Sequence, residues 1–330
     1  MYSLQCCATF ALNKGLMMRT RKFALRVLTL AFTFLLLTQP FHAALIPPDF
    51  LDCVVALGRK DAASQWVPEA SGFMYGRFLS KLDEGHNNYA TYLVTNRHVV
   101  EEHSVNTGGG PLWVRFNLNT PGSAKEYDIP LINAQGSPAW HFHPNPSVDI
   151  AVIPINPQFL RDQGARFMVF RSDLDALSKA KAKEKDLSEG DGVFVLGFPM
   201  GLVGQREDYV IVRAGVIARV RDVLDSPGPG SFLIDSFIFP GSSGGPVILR
   251  PEMVSITGHP AIGNAYLVGV VNSYIPYTDM AVSLQTKHPR VTFEENSGLA
   301  MVIPIDHVDE AIADYERVHP PQPTPQPPVH

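Results

Sequence analysis

Between residues 53 and 303 the chain is cut into about a dozen short runs rich in Val, Ile, Tyr and Phe, parted by clusters of Gly, Pro, Asn and Asp. β-branched and aromatic side chains suit a pleated surface, and Gly and Pro punctuate it. The runs are 53–57, 72–79, 90–95, 112–116, 127–132, 150–155, 192–197, 209–220, 232–234, 246–249, 266–271 and 298–303. So many short strands predict an all-β sandwich or barrels. Two helices are expected beside them. One is 172–186, rich in Ala, Lys and Leu; the other is 305–318, where Asp306 caps a run with Val308, Ala311, Ile312 and Tyr315 on one face. Polar stretches at 61–71, 80–88 and 117–126 read as loops, and no internal repeat is visible.

Length and composition set the scale. The 330 residues, 45% hydrophobic and 18% charged, suffice for one large all-β domain with a substantial core and some accessories. Residues 1–43 read as a signal peptide. Arg19, Arg21 and Lys22 form a basic start, 27–37 is an apolar run too short for a comfortable membrane span, Pro40 breaks it, and Ala43 and Ala44 offer small residues for cleavage. That predicts an exported protein, periplasmic or secreted, with no stable membrane span in its mature form. Loss of the leader would remove five basic residues and no acidic ones, leaving 22 basic against 32 acidic, a net charge of −10. Phosphate binding needs a basic surface, so nucleic acid is excluded as an expected partner. Cys6 and Cys7 would leave too, and Cys53 alone makes no intrachain disulfide; it reads as a buried, inert thiol. The tail 319–330 is proline-rich and reads as extended.

Three sites carry chemistry. Thr95-Asn96-Arg97-His98 ends a strand with a histidine, Val148-Asp149-Ile150 sets a carboxylate at the start of another, and Pro240-Gly241-Ser242-Ser243-Gly244-Gly245-Pro246 puts a serine in a sharp turn. A serine hydroxyl is a poor nucleophile until an imidazole takes its proton, and the imidazole needs a carboxylate to fix its tautomer. The order His98, Asp149, Ser243 is one of the known orders of that triad. It places His and Asp in one half and Ser in the other, which suits a site between two barrels. The N–H groups of Gly241 and Ser243 would form the oxyanion hole, with glycine at 241 for its conformational freedom. His141-Phe142-His143 offers two imidazoles but no acidic or Cys companion in sequence, so no metal and no cofactor is expected.

These residues resemble the trypsin-like superfamily, and within it the bacterial HtrA-like exported peptidases. The resemblance spans about 50–316. Thr95-Asn96-Arg97-His98-Val99, Asp149-Ile150-Ala151-Val152 and Gly241-Ser242-Ser243-Gly244-Gly245-Pro246 carry it. Gly197-Phe198-Pro199-Met200-Gly201, Asp235 and the stretch Asn296–Pro304 follow in family order. The resemblance implies two six-stranded antiparallel β-barrels of the chymotrypsin type, about 50–160 and 190–304, with the helix 305–318 completing a domain of 44–318. It also implies a serine endopeptidase acting on protein or peptide substrates. Ser242 stands where digestive members have Asp, so activation by a new N-terminus is not expected. Too few residues follow the helix for a PDZ domain. The substrate pocket would involve Phe237 and Ile238, where basic-specific members have an Asp, and Val271, Asn272 and Ser273 would pair with substrate backbone by strand addition. Cleavage after small aliphatic residues is therefore expected. A catalytically silent peptide-binding protein on the same fold, or an esterase with the same triad, are the competing readings. The sequence carries no sign of oligomeric state.

Overall fold

The structure, a computed structural model, describes residues 45–320 except 84, 227, 229 and 253–260. The leader read at 1–43 and tail residues 321–330 lie outside the described residues.

Two sheets meet across one seam. In the C-terminal half β9 (Gly192–Gly197), β10 (Ile211–Arg219), β11 (Phe232–Asp235), β12 (Pro246–Leu249), β13 (Tyr266–Val282) and β14 (Pro289–Pro304) close into an antiparallel barrel in the order β10-β11-β14-β13-β12-β9. Val193, Val195, Ile234, Val247, Val271 and Val302 fill it. Closure leaves no unpaired edge around the barrel. In the N-terminal half β1 (Val54–Lys60), β2 (Trp66–Asp83), β3 (His86–Thr95), β4 (Leu112–Asn117), β5 (Ala124–Ile129), β6 (His141–Phe142) and β7 (Ala151–Pro154) run β5-β4-β1-β2-β3-β7-β6. A short β8 (Phe170–Arg171) adds to β2 in parallel, making eight strands. A second closed six-stranded barrel is the expectation here; the strands instead form a sheet whose terminal members β5 and β6 do not pair with each other among the described residues. Leu57, Met74, Leu93, Val114, Phe116 and Trp140 make its core.

A third apolar cluster joins the halves. Phe73, Tyr75, Val94 and Phe170 from one side meet Leu196, Phe198, Leu267 and Ile303 from the other, and Val308, Ala311 and Ile312 of the C-terminal helix (Asp306–Val318) cap them. That helix forms as expected, apolar stripe inward. Asp306 does not cap it, because its carboxylate accepts the Lys179 N–H at 2.8 Å.

The expected helix 172–186 shrinks to Lys179–Glu184. The carboxylate of Asp175 takes Arg171 N at 2.8 Å and grips the guanidinium at Nε and Nη2, both at 2.7 Å. Leu177 N then bonds Leu267 O across to the barrel. These bonds spend the groups a longer helix would need. The loops read at 61–71 and 80–88 are in part strand: β2 already begins at Trp66, and its far end pairs Ser80 with Asn88 and Asp83 with His86 of β3. β13 and β14 also run far past the barrel as a ribbon, pairing Tyr277 with Glu295 and Ala281 with Val291. Cys53 is buried, and burial raises its thiol well above the usual range, so it is inert by geometry and charge alike.

Candidate active site

β3 ends at Thr95, and an extended Asn96 turns the chain into a helix, Arg97–Thr107, that the sequence reading does not anticipate. Its apolar side, Val99 and Val100, is buried with His103. Backbone N–H groups in a helix's first turn lack an intrahelical acceptor. Asp149 supplies one: Oδ1 accepts His98 N–H at 2.8 Å while Oδ2 lies 2.5 Å from His98 Nδ1. Asn96 Nδ2 donates to the Asp149 carbonyl at 2.9 Å, holding the backbone that carries the carboxylate. One aspartate thus caps the helix and orients the ring. With Nδ1–H directed at Asp149, Nε2 carries the lone pair of a base.

Burial of the ring lowers the His98 pKa, but the hydrogen bond and charge of Asp149, with Glu102 and Glu101 behind, outweigh it and hold the imidazole above its ordinary value. Asp149 thus stabilises the protonated ring relative to an ordinary imidazole.

Ser243 lines the same cleft as His98, a space of about 300 Å³ that also touches Glu69, Glu102, Pro240 and Gly241. Its Oγ donates to the Asn272 carbonyl at 3.4 Å, and no hydrogen bond joins it to His98 among the described residues. Rotation about one bond moves a hydroxyl between such partners, and catalytic hydrogen bonds in unliganded sites are commonly long. Gly241 has φ 93°, and a Cβ there would sit 2.6 Å from Phe198 O, so only glycine fits. Met200 N donates to Pro240 O at 2.6 Å, which turns the Pro240–Gly241 peptide so that the Gly241 N–H faces away from Met200. Neither Gly241 N nor Ser243 N donates to a protein acceptor among the described residues.

Ser71, which the sequence reading leaves in a loop, ties this turn down. Fully buried, it donates from Oγ to Gly241 O at 2.7 Å and from N to Ser243 O at 3.0 Å. Its Oγ accepts Phe198 N at 2.9 Å and its carbonyl accepts Thr95 Oγ1 at 2.9 Å. The one signal in sequence was its place just before Gly72 in a strand, which is too common to single out.

The substrate residues fare unequally. Phe237 is 50% exposed, its ring edge beside Gly298. Asn272, whose carbonyl accepts Ser243 Oγ, is half-buried, and Ser273 is exposed. Ile238 is packed in the barrel core and presents no side chain to the cleft. The Val271 N–H bonds Gly245 O and its carbonyl accepts Gly244 N, tying its backbone to the turn after Ser243. Ser242 is buried with its N–H on Phe239 O at 2.9 Å and its Oγ accepting Phe239 N at 3.4 Å, a locally satisfied group.

Residues 70–253, just over half of the chain, match the model of the trypsin-like peptidase domain. The chain belongs to the trypsin-like peptidase family. The match begins one residue before Ser71 and encloses His98, Asp149 and Ser243. A search of curated protein sequences returned no match. Among solved structures, this trypsin-like peptidase domain aligns with an HtrA-type protease, AlgW with tripeptide, at 18% identity and a TM-score of 0.37, over 82% of this chain and 61% of that one. The chain spans about three fifths of that protein, and a likeness of this size adds nothing to the family assignment. Among the described residues, no helix is long and apolar enough to cross a membrane.

Proposed function

We propose that the chain is a serine endopeptidase whose catalytic residues are His98, Asp149 and Ser243. The observation that carries the reading is the pair of bonds from one Asp149 carboxylate to His98 N and Nδ1, which leaves His98 Nε2 as a base in the cleft shared with Ser243. Ser243 Oγ attacks the scissile carbonyl carbon and His98 Nε2 takes its proton. The oxyanion that forms accepts N–H bonds from Gly241 and Ser243. Collapse breaks the C–N bond, and the leaving amine takes the proton from His98. Water, deprotonated by the same ring, then releases the acyl group and restores Ser243.

Phe237, half-exposed beside Gly298, supports a pocket partly filled from one side and a preference for small aliphatic residues. In this reading the eight-stranded sheet is the first, incompletely closed barrel of a chymotrypsin-type domain at 44–318. Residues 1–43 act as an export signal, and the substrates are proteins or peptides outside the cytoplasm.

The test is digestion of unfolded protein with mass-spectrometric mapping of cuts, alongside labelling by a fluorophosphonate probe. Wild type should cut and label, while Ser243→Ala and His98→Ala should do neither. Labelling without cutting supports the esterase reading. Equal digestion by wild type and Ser243→Ala refutes the assignment.

A further inference from the structure

Two imidazoles and a carboxylate converge beside the segment that carries Asp149. His143 follows β6, six residues before Asp149, and its N–H bonds Ile150 O at 3.0 Å. His307 and Glu310 stand at i and i+3 in the first turns of the C-terminal helix, where such residues are neighbours. His143 Nε2 lies 3.0 Å and His307 Nδ1 2.7 Å from the same oxygen, Glu310 Oε2. The three ligand atoms fall within 4.8 Å of one another. We propose that His143, His307 and Glu310 form a binding site for a zinc-class divalent ion that clamps the C-terminal helix to the segment running from His143 to Asp149.

The donor set is that of a His₂Glu zinc site, which keeps a fourth position for water. At metal–ligand distances of about 2.0–2.2 Å, tetrahedral ligand atoms stand roughly 3.4 Å apart. The contacts to Glu310, at 3.0 and 2.7 Å, are shorter than that spacing, so an outward swing of the Glu310 carboxylate is part of opening the space. Its side chain is 53% exposed, so it is free to move and leaves a route for the ion. Both histidines are buried, which fixes their rings and shields the bonds they would make.

The surroundings serve the ligating tautomer of His143. Asn145 offers Nδ1 its N–H at 3.1 Å and its carbonyl at 3.3 Å. The first suits Nε2–H donating to Glu310; the second suits Nδ1–H with the Nε2 lone pair on a metal. A carbonyl behind a ligating imidazole is the usual outer support of a zinc site. His307 supplies the second sign. Its Nε2 is buried without a hydrogen-bond partner among the described residues, a poor arrangement for a ring serving only as a donor to Glu310. The ring also lines a small cavity of about 40 Å³ with Ser147 and Ser231, room for a water to meet an Nε2–H when Nδ1 binds metal. Nothing in this site depends on the peptidase reading.

The test uses the full chain carrying Ser243→Ala, to prevent self-digestion, stripped with chelator and dialysed against micromolar Zn²⁺. Mass spectrometry of bound metal should find one zinc per chain, and zinc should raise Tm by roughly 5 °C. Cobalt(II) in its place should show the visible absorption of a tetrahedral ion. Glu310→Gln, a half-exposed and conservative change, should weaken zinc binding at least tenfold, and His307→Gln should do the same, while both variants keep the circular dichroism of the parent. Absence of bound zinc in the parent, or unchanged binding in Glu310→Gln, would overturn the proposal.

Discussion

The buried hydroxyl of Ser71 donates to the carbonyl of Gly241 at 2.7 Å, across 170 positions of sequence. The bond sets the plane of the Gly241–Ser242 peptide, beside the N–H that would hold the oxyanion. Removing the hydroxyl leaves Gly241 O and Phe198 N without their buried partner, a cost of about 1–3 kcal/mol. Ser71→Ala should therefore lower the urea midpoint. It should also reduce kcat more than it raises KM, because a loosened hole is felt most in the transition state. A variant that loses stability but keeps wild-type kcat would show that Ser71 serves packing alone.

His98 makes the pH profile informative. Its pKa is raised, so the acid limb of kcat/KM should fall above the ordinary imidazole value of about 6.5. The base must be neutral, so activity is lost as pH drops through that pKa. Asp149→Asn should remove the acceptor for Nδ1–H and leave the ring in the wrong tautomer, lowering kcat about ten-thousand-fold. An acid limb that sits below the ordinary value would contradict the Asp149 contact.

Asp208 should govern stability on the acid side of neutrality. Burial pushes its carboxyl up to about 6, Glu126 adds to the rise, and Arg115, with Nη1 at 3.4 Å, opposes it. Among the described residues neither carboxylate oxygen, both buried, finds a hydrogen bond. Between the ordinary value of 3.8 and about 6 the folded chain keeps a proton that the unfolded chain has lost, so this group's contribution to stability declines as pH rises through that window. Asp208→Asn should flatten the change between about pH 4 and pH 6.5, by something on the order of 2 kcal/mol. Parallel urea-midpoint curves for the two proteins would count against it.

Phe237 is the side chain on which specificity should turn. Phe237→Ala should enlarge the space beside Gly298 and raise cleavage after Leu or Phe relative to Val by about tenfold, within what one apolar contact is worth. Mapping cut sites in a peptide library checks this, and an unchanged cut pattern would remove Phe237 from the pocket.

His98, Asp149 and Ser243 stood out as candidates because each sits in a short motif whose chemistry is local, a strand end or a glycine-rich turn. The barrel strands were legible because Val, Ile and Phe alternate where both faces or one are buried. The helix Arg97–Thr107 was not. Its Val, His, Ser, Asn and Thr residues are indifferent helix formers, and what starts it is a carboxylate at Asp149 brought from 51 positions away. The ribbon of β13 and β14 was missed because its apolar residues, such as Tyr277, Met280, Val282, Val291 and Phe293, are exposed and interspersed with polar and charged ones rather than packed into a core.

Sequence alone therefore determined the residue types able to do chemistry and the strands able to bury themselves, since both depend on neighbours along the chain. Tertiary structure decided the rest. It joined Ser71 to Gly241, packed Ile238 into the barrel core, tied the Val271 backbone to Gly244 and Gly245, and left β5 and β6 unpaired with each other among the described residues. It also sent His141 to Asp314 and His143 to Glu310, giving the second histidine the companions it lacks in sequence. The reason is physical: hydrogen bonds and ligand sites need atoms about 3 Å apart, and only the packed chain brings residues so distant in sequence to that range.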